Sequence, residues 1–143
     1  MNILVLYQSR KGHTRQAAEA IATAARSQNH NVVVKSVIEV RKVDVEAADV
    51  LFVGTWVHGL ILFGVRPAEA ELWVPALPAL AGKPTGIFCT YAFNPRGSLT
   101  IMADLLTARG AKVTAQRAFH RSRPGHGADV FVREVLQSVG LAV

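Results

Sequence analysis

An α/β protein, a three-layer sandwich around a five-stranded parallel sheet, is the fold class that the sequence predicts. Strand-length apolar segments alternate with segments of helical periodicity along the chain. The strand segments are near-continuously apolar, as strands covered on both faces must be. Length sets the scale: 143 residues suffice for one ordinary domain with a full core, so residues 1–143 read as a single domain.

The first strand is NILVLY (2–7), which ends in turn chemistry. Residues 13–27 read as a helix, with Ala17, Ala20, Ile21 and Ala24 at three- and four-residue spacing. NVVVKSV (31–37) is β-branched and strand-like, and ADVLFVGTW (48–56) is a third strand closing on Gly54-Thr55. Residues 67–81 hold a weak helix around PAEAELW, cut by Pro75 and Pro78. KPTGIFCTY (83–91) is the fourth strand, and GSLTIMADLLTARG (97–110) a helix stopped by Gly110. AKVTAQRAF (111–119) is the fifth strand, and GADVFVREVLQSVG (127–140) the closing helix. No repeat, low-complexity tract or linker interrupts the series.

Composition excludes several classes of function. Half of the residues are apolar and 18% charged, which argues against disorder. The longest apolar runs, NILVLY, ADVLFVGTWV and GLILFGV, fall short of the roughly 20 residues of a membrane span. No basic segment precedes ILVL, so the start reads as a strand rather than a signal peptide, and the cytoplasm is the expected location. The single cysteine, Cys89, allows neither an intrachain disulfide nor a cysteine-rich metal site; inside an apolar strand it reads as a small buried hydrophobe. His120 and His126, flanking RSRPG, are too sparse to hold a metal, and no metal is expected. The net charge of +6 raises nucleic acid as a partner. Yet the basic residues are scattered, with SRKGHTR, VRK and HRSRPGH the tightest groups, and aromatic residues are not interleaved with them. Acidic partners, not nucleic acid, are expected.

In sheets of this kind ligands bind beyond the carboxyl ends of the strands, here residues 8–14, 55–60, 90–96 and 119–126. The first loop is the richest. It offers Ser9, Gly12 and Thr14 within six positions, at the start of a helix. Free backbone N–H groups and the positive end of the helix dipole favour a phosphate there. Hydroxyls donate to phosphate oxygens, and a glycine lets the backbone curl around them. The chain has neither G-x-x-x-x-G-K-[ST] nor G-x-G-x-x-G, so triphosphate and dinucleotide sites are not expected. The plainer alternative is an N-capped helix, with Thr14 or Ser9 as cap and Gly12 as turn punctuation.

The segment YQSRKGHTRQAAEAIA resembles the FMN phosphate loop of the flavodoxin family. Ser9 matches the first hydroxyl of its S/T-x-T-G-x-T/S pattern, Gly12 the glycine and Thr14 the last hydroxyl, with Arg10 between them and His13 at the variable position. Lys11 stands where the pattern usually has a threonine, exchanging a hydroxyl for a cation. VGTWVHGLILFG resembles the loop after the third strand, in which Thr55, Trp56, Val57, His58 and Gly59 are the matching positions. There a residue such as Trp56 covers one flavin face and a glycine-containing peptide faces flavin N5. His58 is then either a surface residue or a stabiliser of the reduced, anionic flavin. CTYAFNPRG resembles the second flavin loop, with Thr90, Tyr91, Ala92, Phe93 and Asn94 in place and Tyr91 or Phe93 stacking on the outer face. Ordinary packing is the alternative role for Trp56, Tyr91 and Phe93. The resemblance covers essentially the whole chain and lacks the fifth-strand insertion of long-chain members. It implies a short-chain flavodoxin-like fold with strand order 2-1-3-4-5.

By the same resemblance the protein binds FMN and carries electrons between redox partner proteins, with no catalytic residue assigned. The charge departs from the family, whose members crowd carboxylates around the flavin. No Asp or Glu occurs from Val50 to Ala68, where His58 and Arg66 lie, or from Leu72 to Ala103, where Lys83 and Arg96 lie. The expected partner therefore carries an acidic surface, and the second electron is expected at a higher potential than in acidic flavodoxins. Two other readings stay open. One is an FMN-dependent reductase, of quinone or protoporphyrinogen type, on the same fold. The other is a module of this fold that has lost FMN, for which Lys11 is the hint. An electron carrier is favoured over an FMN-dependent oxidoreductase. The run LILFGV reads either as a dimerisation surface or as packing beneath the flavin loop, and the oligomeric state stays open.

Overall fold

The computed structural model describes residues 1–58, 66–67, 70–95 and 97–140, with backbone alone at His58, Arg66, Pro67 and Glu71. Gly59, Arg96 and the run LILFGV lie outside the described residues. In chain order the elements are β1 (Asn2–Tyr7), α1 (His13–Arg26), β2 (Asn31–Ser36), α2 (Lys42–Ala47), β3 (Val50–His58) and β4 (Arg66–Pro67). There follow α3 (Ala70–Trp73), β5 (Pro84–Tyr91), α4 (Ser98–Ala108), β6 (Lys112–His120) and α5 (Ala128–Ser138).

The sheet order is β2-β1-β3-β5-β6, all parallel, with the two-residue β4 antiparallel to the end of β3. With β4 set aside this is the predicted 2-1-3-4-5. Both faces are covered, and strand alternation divides the core accordingly. Ile3, Val5, Val50, Phe52 and Phe88 pack with Ala17, Ala18, Ile21 and Ala25 of α1 and with Phe131, Val132, Val135 and Leu136 of α5. Leu4, Leu6, Leu51, Val53 and Ile87 face Val45, Trp73, Leu77, Met102 and Leu106 on the opposite side. Gly54 is opposite Phe88 in the β3–β5 register, and a Cβ on Gly54 would overlap the Phe88 ring. That close approach requires glycine.

Beyond shifts of one or two residues at other element ends, the structure departs from the sequence expectation around α3, α2 and the start of β3. The weak helix over 67–81 is reduced to Ala70–Trp73 in the described residues, followed by turns at Pro75. Helix α2 is an element that the sequence reading lacks; Asp44 accepts the Arg41 backbone N–H at 2.8 Å and so caps its start. Because α2 ends at Ala47, β3 begins at Val50 rather than at Ala48 and runs on to His58. No helix among the described residues is long and apolar enough to cross a membrane.

Candidate functional site

The carboxyl ends of β1, β3, β5 and β6 bring the four predicted loops to one end of the sheet. In the first, Gly12 is the N-cap of α1 with φ +91, and no side chain caps the helix. A Cβ on Gly12 would meet nothing within 4 Å, so the backbone there borders open space. The half-buried Ser9 accepts the Gly12 N–H through Oγ at 3.1 Å, which leaves its own proton to donate. The first turn of α1 carries no acid. These are the components of an anion cradle: an uncapped helix start, a left-handed glycine and a hydroxyl donor. Arg10 and Lys11 are exposed and His13 half-buried around it.

Thr14 is 1% exposed, and its Oγ1 lies 2.8 Å from Oγ1 of Thr90, itself 2% exposed. Two hydroxyls carry two protons, and one bond uses one of them, so the pair retains a donor. The bond ties the first loop to the third, from the α1 turn to the last positions of β5. On β3, Thr55 is fully buried and its Oγ1 has no hydrogen-bond partner among the described residues. Trp56 and Val57 are half-buried, and the Arg10 guanidinium stands over the Trp56 indole, 5.6 Å from the ring centroid. His58 is the last residue of β3, where its backbone pairs with Arg66. Gly59 lies outside the described residues.

In the third loop Tyr91 and Ala92 are half-buried, while Phe93 and Asn94 are exposed. Tyr91 meets the His120 ring edge-on, with centroids 5.2 Å apart and planes at 87°. His120 does more than this. One ring nitrogen, Nε2, lies 2.8 Å from the Ala92 carbonyl, and Nδ1 accepts the Ser122 N–H at 3.2 Å. Because a backbone N–H can only donate, Nδ1 is the unprotonated nitrogen and Nε2–H donates to Ala92. Arg121 N–H adds a bond to the Tyr91 carbonyl at 2.8 Å. The loop after β6 therefore holds the loop after β5. Sequence reasoning weighed His120 only as a metal ligand; its place after the last strand was the signal that it borders the site.

Charge at this end is unbalanced. The described ion pairs are Lys35–Asp44, Arg41–Asp44, Lys42–Glu46 and Arg133–Asp129, three on α2 and one on α5. None involves Arg10, Lys11, Arg15, Arg121 or Arg123, all exposed. Burial pushes the Cys89 thiol up to about 12, which makes it an inert core residue. No group of three or more His, Cys, Asp or Glu side chains able to hold a metal gathers among the described residues.

The fold is similar to that of solved flavodoxins. Two-electron reduced Megasphaera elsdenii flavodoxin in solution superposes with a TM-score of 0.76 at 18% identity, over 94% of this chain and 98% of that one. Oxidised flavodoxin 2 from Bacillus cereus gives 0.74 at 20% identity, over 96% of this chain and 99% of its own. A mutant of flavodoxin from Pseudomonas aeruginosa gives 0.76 at 14% identity, over 99% of this chain and 100% of its own. At such identities the likeness speaks for the fold. No curated protein sequence matches the chain. The flavodoxin domain as a family matches residues 4–103, more than half of the chain, and the chain belongs to the flavodoxin family.

Proposed function

We propose that residues 1–143 form a single domain that binds one FMN and carries electrons between redox partner proteins, the partner presenting an acidic surface. The observation that supports this most directly is the open, uncapped start of α1, with Gly12 at φ +91 and a free Ser9 hydroxyl proton beside it. The residues present fit the cofactor. A phosphate monoester suits the backbone N–H groups of residues 12–14 and the Ser9 hydroxyl, with the spare proton of the Thr14–Thr90 pair alongside. Arg10 and Lys11 supply charge where the family pattern relies on hydroxyls. The buried Thr55 hydroxyl, without a partner among the described residues, is a polar atom in want of a ligand. Trp56 and Tyr91 offer half-buried rings, each worth about 0.5–1.5 kcal/mol in a stacked pair beyond area burial.

When bound, FMN supplies reversible one- and two-electron chemistry. The chain binds, orients and shields. Trp56, with Arg10 over its face, and Tyr91, braced by His120, shape the walls. Val57, His58, Gly59 and Asn94 complete the two ring loops in this reading. A second reading, an FMN-dependent reductase of quinone or protoporphyrinogen type, is favoured by the lack of any acid from Val50 to Val57 and from Pro84 to Pro95, since cationic surroundings suit a doubly reduced flavin.

Titration with FMN, followed by flavin and tryptophan fluorescence, tests the cofactor. One equivalent is expected to bind, with Gly12→Val and Thr14→Ala each weakening it, the former more. Wild-type affinity in both variants would remove the phosphate assignment. Steady turnover of a nicotinamide cofactor with a quinone would move the protein from carrier to reductase.

A further inference from the structure

The cations at the site end fall into two groups with different prospects once a cofactor is in place. Arg10 and Lys11 lie in the loop that forms the anion cradle and Arg15 in the first turn of α1, all exposed, and a phosphate monoester brings about 1.5–2 negative charges at neutral pH. Arg121 and Arg123 lie across the site, after β6, on the loop bonded to the flavin loop. Neither makes an ion pair among the described residues.

The backbone that carries this second group is tied down by hydrogen bonds. Arg121 N–H bonds to the Tyr91 carbonyl, His120 spans Ala92 and Ser122, and Arg123 N–H bonds to the His120 carbonyl at 2.9 Å. His126 N–H closes a further turn on Arg123 at 3.1 Å. Gly125 packs so closely on α1 that a Cβ would come within 2.6 Å of the Ala20 Cβ. A pre-ordered loop loses little entropy on association. Phe93, next in the chain to the Ala92 whose carbonyl His120 holds, is 72% exposed. Aromatic and Arg anchors with depleted acids are the composition of an interface centre.

We infer that residues 120–126, with Phe93 at their border, form the docking face for an acidic redox protein, while the cations of the first loop serve the cofactor. The inference rests on the proposed function for the redox character of the partner and for the role of the first-loop cations; the acidic docking face itself does not. Single-stranded nucleic acid fits less well, because Phe93 gives one stacking surface rather than a series. A membrane surface fits less well too, because Arg121 and Arg123 stand on tight turns rather than along an amphipathic helix.

The test uses labelled poly-L-glutamate, followed by anisotropy, with and without saturating FMN, alongside a separate FMN titration. Binding of polyglutamate is expected to weaken steeply with salt and to fall about tenfold in the double variant Arg121→Glu, Arg123→Glu, with FMN affinity unchanged. The double variant Arg10→Glu, Lys11→Glu is expected to do the reverse: weaker FMN binding, but polyglutamate affinity within about twofold of wild type at saturating FMN. Wild-type polyglutamate binding in the Arg121, Arg123 variant would overturn the docking face. So would tighter binding of oligo-dT or phosphatidylserine vesicles than of polyglutamate at equal salt. A chain that takes up no FMN would instead sink the cofactor reading, and the polyglutamate measurements without FMN would still decide the face.

Discussion

The Thr55 hydroxyl, fully buried and without a partner among the described residues, is a local defect by folding criteria. An unsatisfied buried hydroxyl costs about 1–3 kcal/mol, and replacing it by a methyl of the same shape removes that cost. Thr55→Val is therefore expected to raise the stability of the cofactor-free chain by about 1 kcal/mol, read by thermal denaturation. FMN binding should weaken in the same variant. A variant with unchanged stability and unchanged FMN binding would leave Thr55 as mere packing. What the sequence offered at this scale was residue type and loop: Ser9, Gly12 and Thr14 stood out as hydroxyls and a glycine at a helix start. Their partners were not legible. The Thr14–Thr90 bond crosses 76 positions, and His120 acquires its role only when β6 lies beside β5.

Among the elements, α2 shows how a short helix escapes a periodicity reading. Its sequence KVDVEA alternates Val43 and Val45 around Asp44, which mimics a strand, and six residues hold fewer than two helical turns. Tertiary contacts decide it. Only Val45 is buried, Lys35 pairs with Asp44 at 3.0 Å, and Lys83 Nζ donates to the carbonyls of Val45, Glu46 and Ala48 at the far end. The Arg41 N–H and the neighbouring Lys35 hold the Asp44 carboxyl below the usual carboxylate range, the backbone bond contributing most. Lys83→Met leaves three terminal carbonyls without their cation and is expected to cost about 1–3 kcal/mol in urea denaturation. The exposed Lys112, changed to Met, is the control and should stay within about 0.5 kcal/mol. Equal effects would mean that Lys83 does not support α2. The five main strands and the helices α1, α4 and α5 were legible because their patterns run for several periods. The helix α3 was overestimated because Pro75 ends it at once.

For the molecule as a whole, the ion pairs and the cations of the first and last loops fall on different elements. The described ion pairs engage α2 and α5, and Arg10, Lys11, Arg15, Arg121 and Arg123 stand outside those pairs. A unit charge about 4 Å away is worth about 1 kcal/mol in water and about 4 kcal/mol at an effective dielectric of 20. Reduced FMN carries an extra negative charge, so cationic surroundings favour its formation. The second electron is therefore expected at a clearly higher potential than in flavodoxins with carboxylate-rich sites, as read by an absorbance-monitored redox titration. A very low second potential would show that solvent screens these cations from the flavin. The net charge was legible in the composition, but its placement required the fold.

The Thr14–Thr90 bond also bears on how the site comes into being. The first loop leaves the ribosome well before Thr90, by on the order of 4–15 s at ordinary synthesis rates. During that interval Thr14 has no Thr90 to bond. Closure waits for β5 to find β3, a non-local parallel pairing of the kind that forms slowly. A ligand that needs the closed site meets only molecules that have already folded. FMN should then act as a brake on unfolding and leave the refolding rate as it is, which stopped-flow measurements at varied FMN would detect. Faster refolding with FMN would mean that the open cradle already captures its ligand.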